Sequence, residues 1–218
     1  MTGIFIYAVE SSICLTILWA FHEIALKRDT RHTRNRYYLV ASMIFSAIVP
    51  LLNIRIAGTG NILPTGGLSS FLLPEITVSP SGAAQYTGTF LAVLPWLYLA
   101  GAILAGTFFI AGSAVLLKLI LAGKHNGRVI VVDSDSCDCF SAFAHVFISG
   151  SIKDDQAARM ISHEMKHIRL GHHTDLLLAG LITAVQWFNP AAYLMRRSLQ
   201  AVHEYEADNE CIKKAKIS

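Results

Sequence analysis

A chain of 218 residues has room for one or two domains. Its residues are 53% hydrophobic and 15% charged, against about 25% charged in ordinary soluble proteins, so the composition points toward a lipid environment. A formal net charge of +3, with no basic patch interleaved with aromatic residues, argues against direct nucleic-acid binding.

Three apolar stretches in the first part of the chain are long enough to cross a bilayer. They cover residues 4–25, 37–56 and 90–117, and about 20 apolar residues span the hydrocarbon core. No basic segment precedes the first stretch and no small-residue cleavage site follows it, so we expect a retained anchor rather than a removed signal peptide. We therefore predict a membrane domain over residues 1–123 and a polar domain over residues 124–218.

The basic residues between the spans predict their orientation. The loop over residues 57–89 has no lysine or arginine, whereas the segment between the first two spans contains Lys27, Arg28, Arg31, Arg34 and Arg36. Positively charged loops stay in the cytoplasm. The N-terminus and the 57–89 loop are therefore predicted to lie outside, and the polar domain is predicted to face the cytoplasm.

Two smaller features have less specific interpretations. The apolar stretch over residues 176–188 is too short for a span and predicts a buried or interfacial helix. Cys137 and Cys139 form a C-x-C pair, but the second pair that a zinc ribbon requires is absent. We expect free thiols in a reducing compartment, and the sequence assigns this pair no role.

The polar domain contains an H-E-x-x-H motif on a predicted helix. The helix is expected to begin at Asp154, because acidic residues suit the first turn, and to stop at Gly171. His163 and His167 are four residues apart, so both rings lie on one side of the helix and can bind a single ion. Glu164 lies beside the first ligand, where it can take a proton from a water that the ion activates.

A catalytic zinc ion needs a third protein ligand, and two candidates compete. His173 lies six residues after His167, which is the metzincin spacing, but the glycine that this motif requires comes one residue late, at Gly171. Glu204 lies on a second predicted helix, which an Asn-Pro pair begins near residue 190 and which runs to about residue 214. Geometry favours Glu204.

Three more side chains of this region are candidates for the site. Asp208 is four residues after Glu204, so it can face the same helix and accept the free N–H of a ligating histidine. His172 is expected to line the cleft. His203 points about 100° away from Glu204 on an ideal helix. It is a candidate to stabilise an oxyanion, although an exposed surface histidine is the stronger expectation.

Three separated segments, HEMKHIRLGHHTD, WFNP and HEYEAD, resemble the gluzincin membrane peptidases of the BlaR/MecR type, the protease module of β-lactam-sensing receptors. The resemblance covers roughly residues 120–212, and the preceding spans and the basic first loop also fit. It implies a mainly α fold, with multi-pass transmembrane helices followed by a helical zincin domain. It also implies one Zn²⁺ per chain, bound by His163, His167 and Glu204. Glu164 would be the catalytic base, and Asp208 would accept the free N–H of a ligating histidine.

The same resemblance implies a location in the bacterial inner membrane and a protein substrate in the cytoplasm, typically a transcriptional repressor. The receptors carry an external penicillin-binding domain with an S-x-x-K nucleophile, and no serine of this chain is followed three residues later by lysine. We therefore do not expect β-lactam sensing of this chain. The sequence does not indicate an oligomeric state.

Two other classes of protein compete with a peptidase. A non-proteolytic receptor or scaffold with a structural zinc site would not need a base, so the intact Glu164 argues against it. A transporter or channel accessory would not need the polar half of the chain after residue 124. The expected chemistry is therefore zinc-assisted hydrolysis, in which Glu164 takes a proton from water and returns it to the leaving amine.

Cysteine labelling tests the predicted orientation. In a cysteine-free variant, a cysteine introduced within residues 60–85 should react with a membrane-impermeant thiol reagent on intact cells, because that loop is predicted to lie outside. A cysteine introduced near residue 150 should stay unlabelled. Labelling near residue 150 would put the polar domain outside and contradict a cytoplasmic site.

Overall fold

Helices account for most of the chain in the computed structural model, which describes residues 2–52, 84–132 and 139–215. The expectation of a mainly α fold is confirmed. A π-helical turn, His22–Leu26, extends the first helix, and a 3-10 turn, Val49–Leu51, extends the second. The six α-helices in these residues are α1 Thr2–Phe21, α2 His32–Ile48, α3 Ala84–Ala122, α4 Asp154–Leu170, α5 His172–Val185 and α6 Pro190–Ala215.

Two helices of the described residues, Gly3–Leu26 and Ala92–Ala122, are long and apolar enough to cross a membrane. They coincide with the first and third apolar stretches of the sequence. The second stretch gives α2, which starts in the polar segment at His32 and has 17 residues. Its crossing stays a prediction, and residues 53–56 of that stretch lie outside the described residues.

The predicted external loop is shorter than its sequence suggested. Residues 84–89 are helical, because neither a proline nor a charged residue separates Ala84 from the apolar run that follows. The rest of that loop, residues 57–83, lies outside the described residues.

The polar domain begins with a sheet that the sequence analysis did not predict. Its strands are β1 Lys124–Asn126, β2 Val129–Val132, β3 Cys139–Ala142 and β4 His145–Ser149. The order is β1-β2-β4-β3, with β2 and β4 parallel and the other two pairs antiparallel. The domain is therefore not wholly helical, because β-branched runs such as Val129–Val132 favour strands once partners are present. Strand β3 lies at one end of this order, next to α4.

The helices share one apolar core that joins both parts of the chain. Its members come from α1, α2, α5 and α6, namely Leu15, Leu39, Met43, Ala179, Ile182, Ala192, Met195, Leu199 and Val202. The short apolar stretch over residues 176–188 is thus a largely buried helix, as predicted. Asn189 caps α6 by accepting the N–H of Ala191 at 3.0 Å, which confirms the expected helix start. The stretches called membrane and polar domains meet in this core.

Small residues let α3 approach the end of α5. The hydroxyl of Tyr98 donates to the carbonyl of Val185 at 3.2 Å, and the indole N–H of Trp187 donates to the carbonyl of Tyr98 at 3.2 Å. A Cβ at Gly101 would overlap the ring of Trp187. The Trp187 ring cannot move away from such a Cβ without losing its hydrogen bond to the carbonyl of Tyr98.

Gly101→Ala should therefore destabilise the protein, while Gly106→Ala on the same helix should not. A Cβ at Gly106 meets no heavy atom within 4 Å. Both changes raise helix propensity by about 1 kcal/mol, whereas overpacking at position 101 costs about 1–3 kcal/mol. Thermal unfolding in detergent, followed by circular dichroism, measures the difference. An equal melting temperature for the two variants would contradict this packing.

Candidate metal centre

The H-E-x-x-H motif lies on α4, which ends where the sequence predicts. Gly171 adopts a left-handed conformation with φ of 74°, and its N–H donates to the carbonyls of His167 and Ile168. Glycine adopts this conformation without steric cost. The chain turns there directly into α5, so the residue after the glycine already belongs to the next helix.

Three side chains from two helices converge beside α4. The Nε2 atoms of His163 and His167 are 3.2 Å apart. Glu204 of α6 places one carboxylate oxygen 3.5 Å from Nε2 of His163 and the other 3.8 Å from Nε2 of His167. The three groups offer ligand atoms within 4.8 Å of one another and could hold a metal ion.

The donor set and its spacing fit zinc. Two imidazoles and one carboxylate are a common catalytic zinc set. Ligands about 2.0–2.2 Å from a tetrahedral zinc ion lie about 3.3–3.6 Å from one another. The two imidazole nitrogens, 3.2 Å apart, and the nearest carboxylate oxygen, 3.5 Å from His163, are close to this range.

The structure brings Glu204, and not His173, to the two histidines. His173 lies on α5 and is not a member of the group that could hold an ion. Its Nδ1 is buried and finds no hydrogen-bond partner among the described residues. The glycine that ends α4 comes one residue later than the metzincin spacing requires, so the chain does not return toward the ligands in that register.

Asp208 lies on the predicted side of the first ligand. Its Oδ1 is 4.0 Å from Nδ1 of His163, the ring nitrogen opposite the one that faces Glu204. This separation exceeds a hydrogen bond, and the Asp208 side chain is 65% exposed. The Asp208 carboxylate is thus close to the ring nitrogen whose N–H it was expected to accept, but it does not bond it.

Glu164 is half-buried and bonded to the sheet. The hydroxyl of Ser141, on strand β3, donates to Oε2 of Glu164 at 2.6 Å. One carboxylate oxygen is thereby anchored while Oε1 is not engaged in that bond. Cys139 lies on the same strand, whereas Cys137 lies outside the described residues, so the C-x-C pair is not described as a unit.

Two histidines lie deeper than the sequence suggested. His172 is 1% exposed, so it does not line an open cleft; its Nδ1 lies 2.8 Å from Nδ1 of His167. His203 is 2% exposed, which makes the expectation of a surface histidine wrong and removes it from any oxyanion site. The reason is that His203 points toward the core, where its ring stacks on His172 with centroids 4.0 Å apart.

A buried charge cluster, which the sequence did not predict, lies next to the candidate ligands. Arg36 donates to Asp175 at 2.6 Å and to Glu206 at 3.4 Å. Glu206 was detectable, because it follows Leu199 and Val202 at helical spacing and so shares their buried face. A carboxylate on such a face must be paired.

The surroundings of the cluster favour an ionised Glu206 and neutral rings of His172 and His167. Burial would raise the pKa of Glu206, but hydrogen bonds from Thr33 and His172, with the charge of Arg36, lower it overall. Burial, as the largest cause, together with nearby His203 lowers the pKa of His172 to about 4. Burial also lowers the pKa of His167, which favours the neutral ring that a metal ligand must have.

A cavity of about 810 Å³ lies on the far side of this cluster, at the start of α2. Glu206 and Arg36 line it, together with other arginines and polar residues, but none of the three candidate ligands does. The cavity is therefore separate from the metal centre.

A scan against protein-family models finds no match to this chain, and a search of curated proteins also finds none. The assignment of a function therefore depends on the chemistry of the site and on the motifs.

Metal analysis of two variants tests the ligand set. Glu204→Ala removes one of three ligands and should lose most of the bound zinc, whereas His173→Ala should retain it, because His173 is outside the group. Elemental analysis of the purified proteins, with circular dichroism to check folding, gives the answer. Retention by Glu204→Ala together with loss by His173→Ala would replace this ligand set with the metzincin one.

Proposed function

We propose that this chain is a membrane-embedded zinc endopeptidase of the gluzincin class, related to the BlaR/MecR-type peptidases, and that it cleaves a cytoplasmic regulatory protein. The observation that carries the proposal is the convergence of His163, His167 and Glu204 from two helices. The position of Glu164 between the two histidine ligands in sequence adds a base to the ligand set.

The number of ligands favours a catalytic zinc over a structural one. Structural zinc sites are closed by four protein ligands, whereas catalytic sites keep one position open. In the described part of the chain the ligand group has three members, and the Glu204 side chain is 60% exposed. This openness argues against the rival interpretation, a non-proteolytic receptor or scaffold with a structural zinc.

The two carboxylate oxygens of Glu164 would have different roles in the reaction. Bound zinc would supply Lewis acidity, which polarises a substrate carbonyl and makes water easier to deprotonate. Glu164 would accept the proton as the water oxygen bonds to the carbonyl carbon, and would return it to the nitrogen as the carbon–nitrogen bond breaks. The bond from Ser141 holds Oε2, so that Oε1 serves as the proton acceptor.

The position of β3 supports a peptide as the substrate. Strand β3 pairs with β4 on one side only, and its other edge faces no strand in the described residues. An extended peptide can add to such an edge through main-chain hydrogen bonds. Ser141 of this strand contacts Glu164, so a peptide on the edge would lie beside the base.

The packing of α5 and α6 supports a site embedded among membrane helices. The turn between them bonds the middle of α1, since Gln186 donates to Ser11 at 2.8 Å and Asn189 donates to the carbonyl of Ser12 at 3.3 Å. If α1 spans the bilayer, this turn lies within it. Large apolar side chains are exposed around the turn, as lipid contact requires: Leu181, Val185, Phe188, Tyr193 and Leu194.

The contacts of α2 support a cytoplasmic site. Arg36 belongs to the basic segment that the charge rule assigns to the cytoplasm. It bonds Asp175 and Glu206, which lie close to the candidate ligands. This contact between the basic segment and the neighbourhood of the candidate metal centre supports a cytoplasmic site, which a protein such as a transcriptional repressor would reach.

Glu164→Gln tests the proposal most directly. The amide keeps the size of the side chain and can still accept the bond from Ser141, but it cannot take a proton. Zinc content should match that of the wild type, while cleavage of a quenched fluorescent peptide library in detergent should fall by at least about 10²–10⁴-fold.

Asp208→Asn provides the contrast. It changes a group beside a ligand rather than the base, so it should weaken zinc affinity or activity by about 10–100-fold. Wild-type cleavage by a zinc-loaded Glu164→Gln protein would refute the peptidase and leave the structural-zinc receptor as the better interpretation.

A further inference from the structure

A chain of hydrogen bonds runs from α2 through two buried groups to a candidate metal ligand. It begins at Thr33 and Arg36 and passes through Glu206. It then continues through His172 to His167. We propose that His172 and Glu206 are positioning residues that fix the tautomer of His167, and that α2 holds both in place. This inference rests on the proposed function in that His167 must be a metal ligand.

The proton positions follow from the one group that can only accept. Glu206 is 7% exposed, and its carboxylate lies 2.6 Å from the hydroxyl of Thr33 and 3.4 Å from Nη1 of Arg36. An ionised carboxylate has no proton to donate. The third contact, 3.1 Å to Nε2 of His172, therefore places the ring proton of His172 on Nε2.

The next bond transfers this constraint to the metal ligand. A neutral His172 with its proton on Nε2 has a lone pair on Nδ1, which can only accept a hydrogen bond. Nδ1 of His167 lies 2.8 Å away, so it must carry a proton and donate it. The Nε2 of His167 is left with its lone pair, which faces His163 and Glu204, and a histidine binds a metal through such a lone pair.

Arg36 also fixes the plane of the His172 ring by a second route. Its Nε donates to Asp175 at 2.6 Å, and Asp175 accepts from Nε2 of His203 at 3.1 Å. The ring of His203 stacks on His172 with an interplanar angle of 5°. One side chain of α2 thus supports His172 through a hydrogen bond on one side and a stacked ring on the other.

The position of α2 gives this chain of contacts a consequence. Thr33 and Arg36 lie about one turn apart at the start of α2, just after the segment that joins it to α1. A displacement of α2 relative to α6 would separate them from Glu206 and release the ring of His172. Zinc affinity should therefore depend on side chains of α2 that touch neither the metal nor its ligands.

The tautomer of His167 can be measured without any change to the network. In the metal-free full chain in detergent micelles, labelled with ¹⁵N-histidine, His167 should be protonated at Nδ1, with its signals assigned by their absence in His167→Gln. Protonation of His167 at Nε2 in the metal-free protein would overturn the proposal.

Zinc affinity then tests the positioning residues. His172→Phe keeps a ring that can stack on His203 but removes the acceptor for His167, so zinc should bind about 10–100-fold more weakly, and His167 should lose its single tautomer. His172→Asn restores an acceptor near the position of Nδ1 and should recover a large part of the affinity. Competition with a chromophoric chelator gives both values.

Arg36→Met and Arg34→Met are a matched pair for the role of α2. Both remove one positive charge from the same helix, but Arg34 pairs with Asp29 in the segment before it. Arg36→Met should weaken zinc binding by about 10-fold or more, and Arg34→Met should leave it unchanged. Equal affinities of the two variants would overturn the role of α2.

The outcomes separate this inference from the proposed function. A folded His172→Phe protein with wild-type zinc affinity would overturn the positioning role, while zinc binding by the wild type and the loss of cleavage in Glu164→Gln would stand. Absence of zinc binding in the wild type itself would overturn both.

Discussion

The ion pairs of Arg36 are the contacts on which the arrangement of the candidate metal centre depends. The Arg36 side chain, which is 11% exposed, bonds Asp175 of α5 and Glu206 of α6 and so joins both helices to α2. Burial would raise the pKa of both carboxylates, yet hydrogen bonds lower it overall, from His203 and Arg36 at Asp175 and from Thr33 and His172 at Glu206, with the charge of Arg36 acting on both. Removing one partner of a buried pair leaves an uncompensated charge and costs about 3–5 kcal/mol. These ion pairs therefore favour a single arrangement of α2, α5 and α6.

Helix α6 has two faces with different contacts. Glu204 and Asp208, four residues apart, are exposed and face the histidines of α4. His203 and Glu206, three residues apart, are buried and face α5 and α2. Because one rigid helix carries both pairs, the packing that holds Glu206 in the core also sets where Glu204 stands relative to His163 and His167. The packing of the core and the geometry of the candidate ligands are thus coupled, because the same helix carries both.

The sequence predicted the parts of the site that local patterns encode. Helices α4 and α6 begin and end near the residues that the sequence indicated, and the three ligand candidates chosen from the sequence lie together in the structure. The sheet was missed, because strands of three to five residues carry little periodic signal before their partners are known. The contacts of Arg36 were missed because its partners are 139 and 170 residues away, a separation that no local pattern reports.

The proposed peptide hydrolysis requires water, and the hairpin of α5 and α6 has a polar end and an apolar end. At the turn between α5 and α6, buried Gln186 and Asn189 satisfy their polar groups on α1 and on each other, while apolar side chains face outward. Away from that turn, the exposed carboxylates of Glu204 and Asp208 share α6 with Tyr205 and Glu206, which contact His32 and Arg36 at the basic start of α2. A charged, hydrated site would be costly among lipid tails. A site where the hairpin meets the basic segment would give the proposed hydrolase its water and still anchor the candidate ligands in the helical core.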